Sequence, residues 1–194
     1  MRNGAVGRSW NAERNTVKVK PHITKKRGVK SRSSPTNRQS VYVVGLIADT
    51  HGLVRPEIAS VFAGVDLIVH AGDVGGPRVL EALRQIAPVA AVSGNADDPK
   101  DPALAGERAV PVAGLVLHVS HGHELGRPTP ALLLARYAGD VLVFGHTHRA
   151  LIERDGERLV VNPGAAGPRR FDLKPSVARL TVISGRAEVE IVPL

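Results

Sequence analysis

The chain has 194 residues and a mass of 20.5 kDa, which is the size of one domain with at most a short appendage. Its 43% hydrophobic and 23% charged residues are typical of a globular protein with a sizeable core. The sequence contains no cysteine, which excludes a disulfide framework, a thiolate zinc site, an iron–sulfur cluster and a cysteine nucleophile. Any site chemistry must therefore use His, Asp, Asn, Ser or Lys.

The formal net charge of +8 is concentrated at the start of the chain. Residues 1–40 hold eleven Lys and Arg residues and one acid, Glu13, whereas the remainder carries 15 bases and 17 acids. Few apolar residues and no periodicity predict a disordered basic extension over residues 1–40. Such an extension can bind nucleic acid by charge alone, but it is equally compatible with a solvated tail, a transit-like segment or residues added by an upstream start codon.

We expect residues 41–194 to form the functional domain of a cytoplasmic protein. No apolar stretch reaches the ~18–20 residues of a membrane span, and the N-terminus has no signal-peptide core. The sequence is compatible with a homo-oligomer and gives no indication of membrane binding.

Apolar runs alternate with helix-like segments along this domain. Strands are predicted over residues 41–48, 66–70, 89–92, 115–119 and 141–144, and helices over residues 56–62, 77–86 and 129–138. Two hairpins follow, joining residues 150–153 to 158–161 and 176–183 to 187–192. This order predicts an α/β domain with a largely parallel core and antiparallel additions, arranged as two facing sheets between helical layers.

Polar residues follow five of the predicted strands. The set consists of Asp49 with His51, Asp73, Asn95, His121, and His146 with His148. Successive motifs are 22 to 26 residues apart, about one strand–helix unit. Because the carboxyl ends of parallel strands share one edge of a sheet, we expect these side chains to meet there. Each residue alone is compatible with a turn or a satisfied polar group, and it is the ordered set that favours a metal site.

The donor types indicate which metals fit. Carboxylate, amide and imidazole groups suit Mn²⁺, Fe, Zn²⁺ or Ni²⁺ and, less well, Mg²⁺. Seven side chains are too many for one ion with an open position, so we expect two divalent ions ~3.5–4 Å apart, with manganese favoured. Residues i and i+2 of an extended segment point the same way, which lets each Asp-x-His or His-x-His pair hold a metal from one side.

These motifs resemble a known family. Asp49-x-His51, Gly72-Asp73, Gly94-Asn95-x-Asp97, His121-Gly122-His123 and Gly145-His146-x-His148 are similar to motifs of the calcineurin-like metallophosphoesterases, in particular the small bacterial and archaeal phosphodiesterases related to the retromer subunit Vps29. Asn162-Pro163-Gly164 resembles a further element, with Ala165 in place of its Ser. The resemblance covers residues 41–194 and implies a four-layer α/β/β/α sandwich.

The resemblance also implies a ligand set and a reaction. One metal would be held by Asp49, His51, Asp73 and His148, and the other by Asp73, Asn95, His121 and His146, so that Asp73 bridges the two. The implied reaction is hydrolysis of a phosphate ester, a diester rather than a monoester, by a hydroxide bridging the ions. Ser93 and Ser120 do not lie in a nucleophile-elbow sequence, so no side-chain nucleophile is expected.

One position departs from the family pattern. Larger members have a His directly after the Asn ligand and small members often have a Cys, whereas this chain has Ala96. Alanine cannot donate a proton to the leaving group. His70 and His123 are the nearby candidates for proton transfer, although each also fits a structural role.

Other residues have weaker predicted roles. Arg127, Arg169 and Arg170 are candidate phosphate-binding residues or solvated loop arginines. Asp97 either starts a loop or orients a ligand, and His118 is expected in a core or interface.

Two other functions stay open. A non-catalytic interaction scaffold, as in Vps29, is disfavoured because both Asp73 and Asn95 match the catalytic pattern. An RNA-directed enzyme would use residues 1–40 as an electrostatic tether.

Overall fold

The computed structural model describes residues 41–170 and 172–194. The basic extension predicted over residues 1–40 lies outside the described residues, so its disorder, its binding of nucleic acid and the domain boundary at residue 40 stay predictions. None of the helices in the described ranges is long and apolar enough to cross a membrane.

The described part of the chain contains ten strands and three α-helices. The strands are β1 Val41–Ile47, β2 Leu67–Ala71, β3 Val89–Val92, β4 Glu107–Val112, β5 Leu115–Ser120, β6 Val141–Val143, β7 Leu151–Asp155, β8 Arg158–Asn162, β9 Ser176–Ile183 and β10 Arg186–Pro193. The helices are α1 Glu57–Val61, α2 Pro77–Arg84 and α3 Pro130–Arg136, and a 3₁₀ turn covers His123–Leu125.

The strands form two five-stranded sheets, which confirms the predicted fold. The first has the order β10-β9-β1-β2-β3 and the second β4-β5-β6-β8-β7. Strands β1, β2 and β3 are parallel, as are β5, β6 and β8, whereas the remaining pairs at the sheet margins are antiparallel. The parallel strands therefore occupy the interior of the second sheet and one half of the first, where β3 is the edge strand, and the hairpin strands β9 and β10 complete the other half.

Three apolar clusters account for the four layers. Between the sheets, Leu46 and Val69 of the first sheet share a buried cluster with Val119 and Val143 of the second. Ile47, the neighbour of Leu46, belongs to a different cluster with α1 and α2. Successive strand residues point to opposite faces, so a strand covered on both faces must be apolar throughout. This is why the predicted strands are continuous apolar runs.

The third cluster covers the outer face of the second sheet. It joins Leu133 and Tyr137, from α3 and its C-terminal end, to Leu142, Phe144 and Val160. The resulting order of layers is helix, sheet, sheet, helix.

Strand β4 is absent from the elements predicted by sequence. It lies at the edge of the second sheet, and all but one of its residues are exposed or half-buried. It also contains Pro111, which lacks the amide that a central strand needs. Its pairing with β5 depends on a hairpin at Ala113 and Gly114, both with positive φ. An exposed edge strand has no continuous apolar run by which to be recognised.

Arg158 ties α3 to the sheet beneath it. The guanidinium donates to the carbonyl oxygens of Gly139 at 3.0 Å, Leu134 at 3.1 Å and Tyr137 at 2.6 Å. These carbonyls lie at or beyond the C-terminal end of α3, where the helix itself cannot satisfy them and where positive charge is favourable.

We predict that Arg158→Lys lowers the free energy of unfolding by about 1–2 kcal/mol, because an ammonium keeps the charge but cannot reach three carbonyls in a planar fork. Urea unfolding followed by circular dichroism measures this change. The control is Arg186→Lys, an exposed arginine on β10, which we expect to change stability by less than about 0.5 kcal/mol. Equal effects of the two substitutions would contradict the role of Arg158.

Candidate metal centre

The loops after β1, β2 and β6 bring four predicted ligands together. Donor atoms of Asp49, His51, Asp73 and His148 all lie within 4.8 Å of one another. His148 Nε2 is 3.3 Å from Asp49 Oδ1, and His51 Nε2 is 3.7 Å from Asp73 Oδ2. The two imidazole nitrogens, His51 Nε2 and His148 Nε2, are 3.5 Å apart. This group of donors can hold a metal ion.

The other predicted ligands lie on the opposite side of Asp73. His121 Nε2 is 3.5 Å from Asp73 Oδ1, and the His121 ring centroid is 5.2 Å from that of His146. His146 Nδ1 lies 3.0 Å from Asn95 Oδ1. One oxygen of the Asp73 carboxylate thus faces His51 and the other faces His121.

Among the described residues, two buried atoms on the inner side of the centre have no hydrogen-bond partner, and neither does the outer nitrogen of His148, Nδ1. The two inner atoms are Asp49 Oδ2 and His121 Nε2. Burying a polar atom without a partner is costly, especially when the group is charged. His121 Nδ1 donates to the carbonyl oxygen of Ala71 at 2.8 Å, which leaves the lone pair of Nε2 facing Asp73 in the neutral ring. An unpartnered carboxylate oxygen and an unpartnered imidazole nitrogen together fit a bound cation.

The electrostatics of His121 and Asp73 also favour positive charge between them. Burial lowers the pKa of His121, but the Asp73 carboxylate and the Ala71 carbonyl outweigh burial and raise it above its ordinary value. Burial likewise raises the pKa of Asp73, but His121 and the amide of Ala96 outweigh it and hold that pKa well below its usual range. Asp73 is therefore a carboxylate ready to bind a cation.

The backbone of the ligand loops is held in an unfavourable conformation. The described residues include seven non-glycine residues with positive φ, and five of them are predicted ligands: Asp49, His51, Asp73, His146 and His148, with φ between 45° and 66°. A left-handed conformation costs a non-glycine residue ~1–2 kcal/mol. Strain concentrated at one point of a fold is typical of a functional site.

Two glycines allow the loops to approach one another. A Cβ on Gly94 would collide with Asp73 Oδ1, and a Cβ on Gly145 would lie 2.8 Å from the carbonyl oxygen of Ala71 and 3.1 Å from Asp49 Oδ2. The glycine before Asn95 and the glycine before His146 are thus required by the packing of the carboxylates.

Asp97 binds three backbone amides. Its Oδ2 accepts from Gly94 at 2.8 Å and Val74 at 3.0 Å, and its Oδ1 accepts from Gly75 at 2.9 Å. This carboxylate fastens the loop that follows Asp73 to the loop that carries Asn95. Asp97 positions these loops through their backbone amides, and an orienting contact with a ligand side chain stays a prediction.

Asn162 supports the His146 loop in a similar way. Its amide nitrogen donates to the carbonyl oxygen of Gly145 at 2.7 Å and to Thr147 Oγ1 at 3.1 Å, while its Oδ1 accepts from Gly164 at 2.9 Å. The side chain is fully buried. The Asn-Pro-Gly sequence therefore fixes the loop that carries His146 and His148.

The two candidates for proton transfer differ in accessibility. His70 is fully buried, and its Nε2 lies 2.8 Å from Thr50 Oγ1. Thr50 Oγ1 donates to the carbonyl oxygen of Val74, so it accepts from His70. His123 has a side chain 37% exposed, and its ring centroid lies 5.3 Å from that of His121 and 6.3 Å from that of His146. Of the two, only His123 is open to a substrate.

Glu124 and Tyr137 form a contact that the sequence did not predict. Tyr137 donates from its hydroxyl to Glu124 Oε1 at 2.5 Å, and Glu124 Oε2 lies 3.5 Å from His123 Nδ1. Burial, together with the Glu124 carboxylate, raises the pKa of Tyr137 to about 12. The pair lies 13 residues apart on different elements, and no local motif indicates the contact. The ring of Tyr137 also stacks on His118, with centroids 4.1 Å apart.

The three predicted phosphate-binding arginines occupy different places. Arg170 Nη2 lies 3.4 Å from His51 Nε2, which brings this guanidinium to the centre itself. Arg127 lines a groove beside His146 and His148, and Arg169 lines a small pocket beside His148. All three side chains are exposed.

Burial lowers the pKa of His70 to about 4, from an ordinary value of 6.5. As the pH falls, the unfolded chain therefore binds a proton at His70 before the folded protein does. We predict that the free energy of unfolding of the metal-free protein falls by about 2 kcal/mol between about pH 7.5 and about pH 4.5 because of this residue.

Replacing His70 with Gln should remove that part of the pH dependence. Urea unfolding of both proteins at the two pH values, in the presence of a chelator, measures the difference. An unchanged pH dependence in His70→Gln would contradict the neutral buried state of His70.

Comparison with known proteins agrees with this centre. Residues 43–185 match the model of the calcineurin-like phosphoesterase superfamily domain. A protein of Methanocaldococcus jannaschii named probable metallophosphoesterase is 32% identical over 161 residues, which cover 78% of this chain and 81% of that protein. Phosphodiesterase YfcE of Escherichia coli K12 is 34% identical over 142 residues, covering 61% of this chain and 76% of YfcE.

A solved structure shows the same fold. Vps29 of Entamoeba histolytica, crystallised in complex with zinc, superimposes with a TM-score of 0.62 and 22% identity, covering 78% of this chain and 98% of Vps29. The fold, the family match and the relatives agree with one another. The chain is a member of the calcineurin-like phosphoesterase superfamily and a metal-dependent hydrolase of phosphate esters.

Proposed function

We propose that this chain is a phosphodiesterase that uses two divalent metal ions. The observation that carries the proposal is the position of the Asp73 carboxylate, with Oδ2 3.7 Å from His51 Nε2 and Oδ1 3.5 Å from His121 Nε2. One donor group on each side of a shared carboxylate is the arrangement that a two-metal hydrolase requires.

The two ligand sets are assigned as the family resemblance implies. Asp49, His51, Asp73 and His148 hold the first ion, and Asp73, Asn95, His121 and His146 hold the second. When bound, two such ions supply a hydroxide nucleophile from water at neutral pH and neutralise charge on the phosphoryl oxygens. Other residues of the protein have to orient the metal ligands, keep the ligand loops in one conformation and bind the ester.

Neighbouring groups orient the ligand side chains. The Ala71 carbonyl fixes the proton of His121 on Nδ1, so that Nε2 is free to bind a cation. The amide of Ala96 donates to Asp73 Oδ1 at 2.8 Å and the amide of His146 to Asp49 Oδ1 at 3.3 Å. These bonds fix the direction of both carboxylates. Arg170, beside His51, is placed to bind an oxygen of the phosphate group.

The donor types support manganese as the ion. Two carboxylates, an amide oxygen and four imidazoles are a mixed oxygen and nitrogen set without sulfur. The Vps29 structure contains zinc, which the same donor types also accept. We therefore propose Mn²⁺, with Zn²⁺ as the principal competitor.

Asp73→Asn should reduce hydrolysis of bis(p-nitrophenyl) phosphate by roughly 100-fold or more, because a neutral amide cannot bridge two cations. The bound manganese should also fall from two ions per chain to one or fewer, as measured by elemental analysis after dialysis. Asp155→Asn, at the exposed last residue of β7, is the matched control and should leave both quantities unchanged.

Two results would count against this proposal. Full activity of Asp73→Asn would show that hydrolysis does not depend on the bridging carboxylate. Wild-type protein that holds two ions per chain but hydrolyses neither diesters, cyclic nucleotides nor monoesters would favour the alternative of a non-catalytic scaffold, as in Vps29.

Ala96 should make the reaction sensitive to the leaving group. Its methyl side chain has no acidic proton to donate to the leaving group. Of the candidate proton donors, His70 and His123, only His123 is exposed beside the ligand histidines. We predict that a diester with an aryl leaving group is hydrolysed at least ~10²-fold faster than a dialkyl ester, since general-acid assistance is worth 10² to 10⁴.

The variant Ala96→His should narrow that ratio, because Ala96 is exposed and leaves room for an imidazole. The measurement is kcat for an aryl and an alkyl diester at saturating Mn²⁺. Equal turnover of the two esters by the wild-type protein would contradict the prediction.

A further inference from the structure

A groove of about 880 Å³ begins at the metal centre and leads away from it. His146 and His148 of the centre line it, and so do Arg149 and residues of the segment from Gly126 to Pro130. A group attached to a phosphate held at the centre can extend into this groove without leaving the protein surface.

The groove contains three basic side chains and no acidic one. Arg127, Arg149 and Lys174 line it, and all three are exposed. Within residues 41–170 and 172–194, no carboxylate lies within ion-pairing distance of any of them. Residues 41–194 as a whole carry two more acids than bases, so this is a local concentration of cations on a slightly acidic domain.

The floor of the groove is apolar. Phe144 lies at its base with 3% of its surface exposed, and Pro128, Leu151 and Leu173 complete the floor. A site with an apolar floor and cations at its rim fits a flat organic group that carries an anion, such as a nucleoside with an attached phosphate. Two guanidinium groups favour phosphate, because each can donate two hydrogen bonds to it.

We propose that this groove binds a second phosphate group of the substrate, and that the substrate is a nucleotide diester with that second phosphate on the same nucleoside. This inference rests on the proposed phosphodiesterase function. It adds specificity residues, Arg149 and Lys174, to the ester-binding groups at the metal centre. The ester phosphate lies at the histidines, the nucleoside lies on the apolar floor and the second phosphate contacts the basic rim.

The test compares two diesters that differ in a single phosphate: thymidine 5′-(p-nitrophenyl phosphate) and the same compound with a 3′-phosphate. Consumption of each is followed by chromatography, which detects either direction of cleavage. We expect kcat/KM to be about tenfold higher for the 3′-phosphorylated diester, because its second phosphate forms an additional charged hydrogen bond with the groove. The double variant Arg149→Ala/Lys174→Ala should reduce that ratio to about one, whereas Arg186→Ala on β10 should leave it unchanged.

A binding measurement separates this inference from the proposed function. Calorimetry of the full-length, metal-free protein with thymidine 3′,5′-bisphosphate and with thymidine 5′-monophosphate does not depend on hydrolysis. We expect the bisphosphate to bind about tenfold more tightly, and the difference to disappear in the double variant. The basic extension of residues 1–40 is present in every protein compared, so it cannot produce a difference between variants.

The outcomes are distinct. If neither diester is hydrolysed, the phosphodiesterase proposal fails, whereas the binding difference still supports the groove. If both diesters are hydrolysed equally and both nucleotides bind equally, the groove proposal is overturned. A preference for the second phosphate that persists in the double variant overturns the assignment of that phosphate to Arg149 and Lys174, because another cation must then bind it.

Discussion

The structure depends on one buried carboxylate between two groups of imidazoles. Asp73 is 4% exposed, lies within 4 Å of both His51 and His121, and has a pKa held well below its usual range. Asp49 Oδ2 and His121 Nε2 beside it have no hydrogen-bond partner among residues 41–170 and 172–194. An arrangement of ionised and unpartnered acceptors is unfavourable in isolation and becomes favourable when cations bind among them. Metal binding and folding of these loops are therefore thermodynamically coupled.

The two-sheet fold supplies the rigidity that such a site needs. The ligands after β1, β2, β3 and β6 follow strands whose apolar residues are packed on both faces, so the point at which each of these loops begins is fixed by the cores rather than by the loop. Asp97 and Asn162 then hold the loops through backbone bonds. These bonds offset the strain of the left-handed residues. Removal of either anchor would leave the ligands present but free to relax into ordinary backbone conformations.

The central strands and the ligand motifs could be predicted from the sequence because both are local signals. A strand such as β1, buried on two faces, is a continuous apolar run, and Asp49 and His51 follow it directly. The contact of Glu124 with Tyr137, the edge strand β4 and the three carbonyls bound by Arg158 depend on residues brought together only by folding. Asp97 lies between these two cases. It belongs to the Gly94-Asn95-x-Asp97 motif, but the motif is compatible both with a turn and with an orienting role. Its contacts with the amides of Val74 and Gly75, on a different loop, are formed only when the chain folds.

Charge illustrates why arrangement carries more information than composition. The formal charge of +8 belongs to the first 40 residues, and the domain that contains the metal centre is slightly acidic. Nevertheless, Arg127, Arg149 and Lys174 converge on one groove with no acid lining it, next to a centre that would itself hold divalent cations. The electrostatic field that acts on a substrate is set by these nearby groups, because charges further away than the Debye length of about 8 Å are screened by salt. The basic groove thus attracts a polyanionic substrate, although the net negative charge of the whole domain would repel it. In the proposed reaction, the metal centre determines which bond is broken, whereas the groove selects the phosphodiesters that carry a second phosphate.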